Sequence, residues 1–232
     1  MANRAVRIML LILVCGISLR AGDIEGTIIV QHKLTKRNVT ATASLYDRGV
    51  SIGLGADQKE DPLAFERTHV VIYLEGESSP DKVVRVLGQK DRRFSPDLVV
   101  VPVGSTVSFP NFDPIFHDVF SLSKAKSFDL GNYPQDRTRT VTFTKPGTVF
   151  VNCHLHANMA AVIVVTPNRW STTADASGHF VLPQVPPGKY TIVAWHKTAG
   201  FFRKTIEVGE NGHAYIEFAI PLDENGTELA QQ

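Results

Sequence analysis

The sequence predicts an all-β protein built from two β-sandwiches. Strand-like runs rich in Val, Thr, Phe and Ile lie at 69–76, 97–109 and 139–153, and turns containing Gly or Pro separate them. After residue 21 no long stretch shows the 3.6-residue period of an amphipathic helix. Strands at this spacing indicate sandwich packing, and 232 residues are enough for one or two domains with hydrophobic cores.

The N-terminal segment 1–21 is predicted to be a signal peptide. Two arginines precede the apolar run IMLLILVC at 8–15, which is too short to span a bilayer. We expect cleavage near Ala21, and therefore a periplasmic or secreted protein with no integral membrane segment after cleavage. A lipoprotein anchor at Cys15 is disfavoured because a bulky valine precedes it.

Three further segments and a tail are expected after the signal peptide. The N-terminal strand EGTIIVQH and a polar loop region fill 22–67, and this strand is a candidate to complete the C-terminal sandwich. The first sandwich is predicted at 68–166. The second, at 167–223, is short for an independent core, and 224–232 form the tail.

Two turn motifs predict β-hairpins. Lys145–Gly147 divides the run at 139–153 into two strands, and Glu210–Gly212 does the same for 203–222. In each case we expect the strands on either side of the turn to pair with each other.

The composition and the sulfur-containing residues narrow the functional classes. With 43% apolar residues, 20% charged residues and a net charge of +1, the chain has no signature of a nucleic-acid-binding protein. Once residues 1–21 are removed, Cys153 is the only cysteine and Met159 the only methionine. Exported proteins normally pair their cysteines in disulfides, so a single cysteine needs another explanation.

Both sulfurs lie in the stretch VFVNCHLHANMAAVIVV, where Cys153, His156 and Met159 have the spacing C-x2-H-x2-M. A loop that leaves a strand can wrap a thiolate, an imidazole and a thioether around one ion at this spacing. The expected fourth ligand is a histidine from an earlier strand, and NFDPIFHDVFS supplies His117. Two histidines and a cysteine with a distant methionine form the donor set of blue-copper electron-transfer sites.

These paired motifs resemble the cupredoxin family, which includes plastocyanin, pseudoazurin and amicyanin. The segment SPDLVVVPVGSTVSFPN resembles the strand that leads to the first ligand, and YPQDRTRTVTFTKPGTVFVNCHLHANMAAVIVV resembles the last two strands with their ligand loop. The resemblance covers roughly 68–166 and implies a cupredoxin-like Greek-key β-sandwich. It also implies one type 1 copper, with His117, Cys153, His156 and Met159 as the metal ligands.

The resemblance implies one-electron transfer to a redox partner that the sequence does not identify. Cys153 would carry the electronic coupling, His117 and His156 would fix the equatorial plane, and Met159 would tune the potential. As the ligand that is typically exposed in the family, His156 would be the electron exit. An apolar docking rim would then be formed by Phe112, Pro114, Ala157 and Ala160.

Two residues depart from the family pattern. Asp118 stands where the family usually has an asparagine, and its charge would favour the oxidised ion. His154, between Cys153 and His156, is not required by the pattern and is interpreted as an exposed loop histidine. The segment 167–223 resembles the carboxypeptidase regulatory-like β-sandwich, which is transthyretin-like or Ig-like, and the tandem is similar to methylamine-utilisation or plastocyanin-like proteins.

Other functional classes have weaker support in the sequence. No enzyme is predicted, because G-x-S-x-G and H-E-x-x-H are absent and a single H-x-H cannot build a trinuclear copper site. A dinuclear copper centre would need a second cysteine. The alternatives that stay open are a copper carrier or storage protein and a non-metal carbohydrate-binding or adhesion module, in which Cys153 would be a small buried side chain.

Overall fold

The computed structural model describes residues 21–35, 61–76, 81–210 and 212–220. The predicted signal peptide, apart from Ala21, and the predicted tail lie outside these residues. Among the described residues there are seventeen strands and one five-residue helix. In chain order the elements are β1 (Gly22–Val30), α1 (Ala64–Thr68), β2 (Val70–Leu74), β3 (Val84–Val86), β4 (Gly88–Lys90), β5 (Arg93–Ser95), β6 (Leu98–Pro102), β7 (Thr106–Pro110), β8 (His117–Ser123), β9 (Lys126–Tyr133), β10 (Thr138–Thr142), β11 (Gly147–Cys153), β12 (Ala160–Thr166), β13 (Ser171–Thr173), β14 (His179–Val185), β15 (Gly188–His196), β16 (Gly200–Val208) and β17 (His213–Ile220).

The first sandwich packs a three-stranded sheet, ordered β10-β7-β3, against a five-stranded sheet, ordered β6-β12-β11-β8-β9. Side chains alternate across each strand, so one side of every strand can enter the core. On β8, for example, His117 and Val119 are buried, whereas Leu122 on the opposite face is 82% exposed. The core also holds Val107, Phe109, Phe143, Val149, Val151 and Ile163.

The second sandwich packs β14-β1-β17 against β13-β2-β15-β16. The N-terminal strand β1 lies between β14, with which it is antiparallel, and β17, with which it is parallel. Ile24 and Ile28 of β1 are buried in a core with Phe180, Ile192 and Phe218. The all-β fold class and the sandwich packing predicted from the sequence are therefore confirmed.

The strand β2 belongs to a different sandwich from the one that the sequence boundary at residue 68 assigns. It pairs with β13 and β15 rather than with the strands of the first sandwich. Val70, Ile72 and Leu74 face the core of the second sandwich, while Val71 faces the first sandwich. Because β2 is apolar on both faces, its sequence does not indicate which sheet it joins.

The two predicted hairpins are wrong. β10 pairs with β7 and β11 pairs with β12 and β8, so the turn at Lys145–Gly147 joins two different sheets. Likewise β16 pairs with β15 and β17 pairs with β1. The same turn residues occur in hairpins, where the flanking strands pair with each other, and in arches, where the flanking strands lie in the two facing sheets of a sandwich. Only the packing of the flanking strands distinguishes the two.

An interface core joins the two sandwiches. It consists of the buried residues Val71, Val162, Val164 and Trp195, with partly buried Tyr73, Leu98, Val100 and Phe201 around them. The strand β12 is therefore buried on both faces, since its other side enters the first core. The one helix among the described residues is not long and apolar enough to cross a membrane.

Candidate metal centre

The end of the first sandwich brings the predicted ligands together. His117 begins β8 and Cys153 ends β11, and the antiparallel pairing of Cys153 with Val119 puts both ligands at the same end of the sheet. Both side chains point into the sandwich, at 0% and 5% exposure. His156 lies in the loop that joins β11 to β12, and the backbone N–H of Met159 closes this loop by donating to the carbonyl of His156 at 3.0 Å.

The three donor atoms have distances suited to one metal ion. The Sγ atom of Cys153 lies 3.8 Å from Nδ1 of His117 and 3.7 Å from Nδ1 of His156. One donor atom from each of these three residues lies within 4.8 Å of the other two. Metal–thiolate and metal–imidazole bonds of about 2.3 and 2.0 Å at a trigonal angle would separate sulfur from nitrogen by about 3.7 Å. Both sulfur–nitrogen distances therefore match those of a trigonal metal site.

Met159 is the fourth predicted ligand and lies in the core beside this cluster. Its side chain is 1% exposed and belongs to the same buried group as Cys153. A thioether in this position fills the core and can also act as a weak metal ligand.

A carboxylate that the sequence analysis did not assign orients His117. The Nε2–H group of His117 donates to Oδ2 of Asp113 at 2.8 Å, which leaves Nδ1 directed towards Cys153. Asp113 also accepts the backbone N–H groups of Asp91 at 2.6 Å and Arg92 at 2.9 Å. A carboxylate behind a ligating histidine fixes the ring and its tautomer, as is common at metal sites.

The electrostatics of Asp113 keep it ionised. Burial alone would raise the pKa of this carboxyl group, but hydrogen bonds from the Arg92 backbone, from His117 and from the Asp91 backbone outweigh burial and lower it. The sequence signal that could have identified Asp113 is its position four residues before His117, in a turn rather than a strand.

Asn111 holds the turn that carries Asp113. Its Oδ1 accepts the backbone N–H of Asp113 at 2.9 Å, and its Nδ2 donates to the carbonyls of Ile115 at 2.8 Å and Tyr133 at 3.2 Å. Asn111 is fully buried, so these bonds compensate for its desolvation. The turn is thereby fixed to β9 as well as to β7.

His156 is the more accessible of the two histidines. Its ring lies 4.9 Å from the ring of His117, centroid to centroid. Burial lowers the pKa of His156 below its ordinary value, and the electrostatic influence of the neighbouring His117 and Arg92 lowers it further. A histidine with a lowered pKa is neutral near pH 7, which is the form that binds metals.

Asp118 and His154 lie on the other side of the sheet. Each directly follows a predicted ligand, and because side chains alternate, both face outwards. The ring of His154 stacks on Phe120 with a centroid distance of 3.6 Å. The structure thus separates these two residues from the cluster of His117, Cys153 and His156.

The predicted docking rim is exposed. Phe112 is 52% exposed, and Pro114, Ala157 and Ala160 are also accessible. Sequence reasoning missed two exposed apolar residues of the same loops, Phe116 at 55% and Leu155 at 50%.

No family model matches the chain, and no curated protein does so either. Among solved structures, a copper-containing nitrite reductase from Thermus scotoductus SA-01 is similar at 24% identity over 39% of this chain and 24% of that one, with a TM-score of 0.35. A purple cupredoxin from Nitrosopumilus maritimus is similar at 19% identity over 36% of this chain and 100% of that one, with a TM-score of 0.32. An amicyanin mutant in the Cu(I) form is similar at 21% identity over 40% of this chain and 97% of that one, with a TM-score of 0.34. Matches at this level leave the function to be argued from the site.

Proposed function

We propose that this protein is an exported type 1 copper protein that transfers single electrons. The observation that carries the proposal is the cluster of one cysteine sulfur and two imidazoles, in which His117 and Cys153 are buried and the donor atoms lie within 4.8 Å of one another. Two histidines and one cysteine with a weak thioether form the blue-copper donor set. Structural zinc sites prefer four strong nitrogen or thiolate ligands, whereas Met159 offers only a weak one.

The protein would hold its donors in one arrangement in both oxidation states. Cys153 is fixed by the end of β11, and His117 is fixed by β8 and by its hydrogen bond to Asp113. A bound copper ion would supply the one-electron redox couple. Donors that are held by strands and hydrogen bonds move little when the charge at the site changes, which favours rapid transfer.

Electrons would enter and leave through His156. This residue is only partly buried, in contrast to His117. The loops that precede His117 and follow Cys153 carry exposed apolar side chains, which include Phe116 and Leu155. An exposed apolar surface of this kind suits a transient protein partner.

A redox titration of the copper-loaded chain tests electron transfer. We expect a reversible one-electron couple, with the same protein cycling between Cu(I) and Cu(II) without losing the metal. The control is His213→Ala, which changes an exposed histidine of the second sandwich and should leave the potential unchanged. A chain that binds Cu(I) tightly but releases the ion on oxidation would be a copper carrier, and this outcome would contradict the proposal.

A further inference from the structure

A second group of candidate ligands lies on the outer face of the five-stranded sheet. It consists of Asp118 on β8, Asp129 on β9 and His154 just after β11, and one donor atom of each lies within 4.8 Å of the others. Nε2 of His154 is 3.8 Å from Oδ2 of Asp129. None of these side chains belongs to the cluster of His117, Cys153 and His156, so this group is separate from the first centre.

The strands place these three side chains together. Phe120 pairs with Asp129 on β9 and with Asn152 on β11, so the outward faces of the three strands meet at this point. The pairing of β8 with β9 is irregular between Asp118 and Phe120, where β9 contains one additional residue. Such a β-bulge changes the direction of side chains and is frequent next to functional sites.

Local contacts hold two of the donors in position. The ring of His154 stacks on Phe120 at 3.6 Å with an interplanar angle of 9°, and its backbone N–H donates to the carbonyl of Asp118 at 3.0 Å. Oδ1 of Asp129 accepts the N–H of Gly131 at 2.8 Å, which orients the carboxylate. Gly131 has a φ of +64°, a conformation that glycine adopts without strain.

A buried oxygen atom in this group has no partner. Oδ1 of Asp118 is inaccessible to solvent and has no hydrogen-bond donor among the described residues. The second carboxylate, Asp129, is of like charge, so the two oxygens repel each other across the site. An unpaired buried carboxylate oxygen is costly, and native proteins satisfy such groups with a donor, a water molecule or a cation.

We propose that Asp118, Asp129 and His154 bind a divalent transition-metal ion such as Zn²⁺ on the outer face of the sheet. Carboxylate and imidazole ligands suit borderline ions of this class, and binding does not require a thiolate. A cation would satisfy the buried oxygen of Asp118 and remove the repulsion between the two carboxylates. Three protein ligands leave a coordination position open to water or to a small exogenous ligand, as in zinc sites that are not purely structural.

The two sites lie back to back across one sheet. Asp118 follows His117, and His154 follows Cys153, so two peptide bonds connect them directly. The second site needs no copper at the first, because the two groups share no side chain. Its existence can therefore be tested whatever metal the first centre holds.

Calorimetric titration with Zn²⁺ tests the proposal, because Asp129→Asn and Cys153→Ala each remove one site. Asp129→Asn should bind one equivalent of Zn²⁺ fewer than the wild type, and Cys153→Ala should retain the equivalent that Asp129→Asn loses. Asp129 is exposed and an asparagine can still accept the Gly131 N–H, so Asp129→Asn should fold normally. We expect binding at the second site to weaken at least about tenfold in this variant.

Two further variants exclude non-specific binding. His154→Ala should lose the same equivalent as Asp129→Asn, whereas His213→Ala, an exposed histidine of the other sandwich, should bind as the wild type does. The proposal is overturned if Asp129→Asn binds Zn²⁺ with wild-type stoichiometry and affinity. It is equally overturned if His213→Ala loses as much binding as His154→Ala, because the metal would then be held by surface histidines in general.

Discussion

Asp113→Asn tests whether the protein orients His117 for metal binding. In the structure the Asp113 carboxylate is 6% exposed and accepts three hydrogen bonds, from His117 and from the backbones of Asp91 and Arg92. An asparagine keeps the shape but replaces one acceptor oxygen with an NH₂ group, which cannot accept. At least one of the three donors then faces another donor.

The size of the effect follows from this loss. An unsatisfied buried N–H group costs about 1–3 kcal/mol, so the free energy of unfolding should fall by this amount. Loss of the group behind a metal-bound histidine typically weakens metal affinity by about 10–100-fold. That factor corresponds to about 1.4–2.7 kcal/mol of binding free energy.

The assay is copper binding in competition with a chelator, with urea unfolding of the same samples in parallel. Asp175→Asn is the matched control, because Asp175 also accepts several hydrogen bonds but lies in the second sandwich. It should leave copper affinity unchanged. If folded Asp113→Asn protein binds copper as tightly as the wild type does, Asp113 does not orient His117 and the reasoning is refuted.

Three other substitutions test the interface core, the ion pair between the sandwiches and the axial position. Trp195→Ala removes the largest side chain of the interface core and should lower the free energy of unfolding, measured by urea unfolding, by about 3–5 kcal/mol. A change below about 1 kcal/mol would mean that the stability of the sandwiches does not depend on this contact. Burial alone lowers the pKa of His69, but hydrogen bonds to Asp97 at 3.1 Å and to the Phe65 carbonyl raise it above 6.5. A histidine whose pKa is raised on folding stabilises the fold fully at pH values below 6.5, and this contribution is lost as the pH rises through the pKa of His69 in the folded protein. Asp97→Asn should therefore lower the free energy of unfolding by about 0.5 kcal/mol at pH 6 and by less at pH 9. An equal effect at both pH values would exclude the ion pair. Met159→Leu should lower the free energy of unfolding by less than about 1.5 kcal/mol, because the two side chains have similar volumes. It should raise the reduction potential of bound copper, because Cu(II) loses a donor, and an unchanged potential would show that the thioether is not a ligand.

Local patterns in the sequence predict the strands but not their partners. Alternating runs such as TVSFP and HDVFSLS identify β7 and β8, since each has one apolar face. The pairing of strands depends on contacts between segments far apart in the chain, and turn residues do not encode it. This is why the turns at Lys145–Gly147 and Glu210–Gly212 lead to arches, and why β2 joins the second sandwich.

The candidate site shows the same division. Cys153, His156 and Met159 lie within seven residues, from the end of β11 to the residue before β12, so their spacing is visible in the sequence. His117 could be found because its motif accompanies this segment in a known family. Asp113 and the outer group with Asp129 depend on tertiary contacts that no short motif reports. The buried pair of Glu66 and His196, 3.2 Å apart, was equally invisible in the sequence.

The measurement that tests the account most directly is the visible and EPR spectrum of the chain after addition of one equivalent of Cu²⁺, with Cys153→Ala alongside. We predict an intense blue charge-transfer band and a narrow copper hyperfine splitting, both lost in Cys153→Ala. A colourless protein, or a weak spectrum that the substitution leaves unchanged, would contradict a type 1 site and with it the assignment of His117, Cys153 and His156 as its ligands.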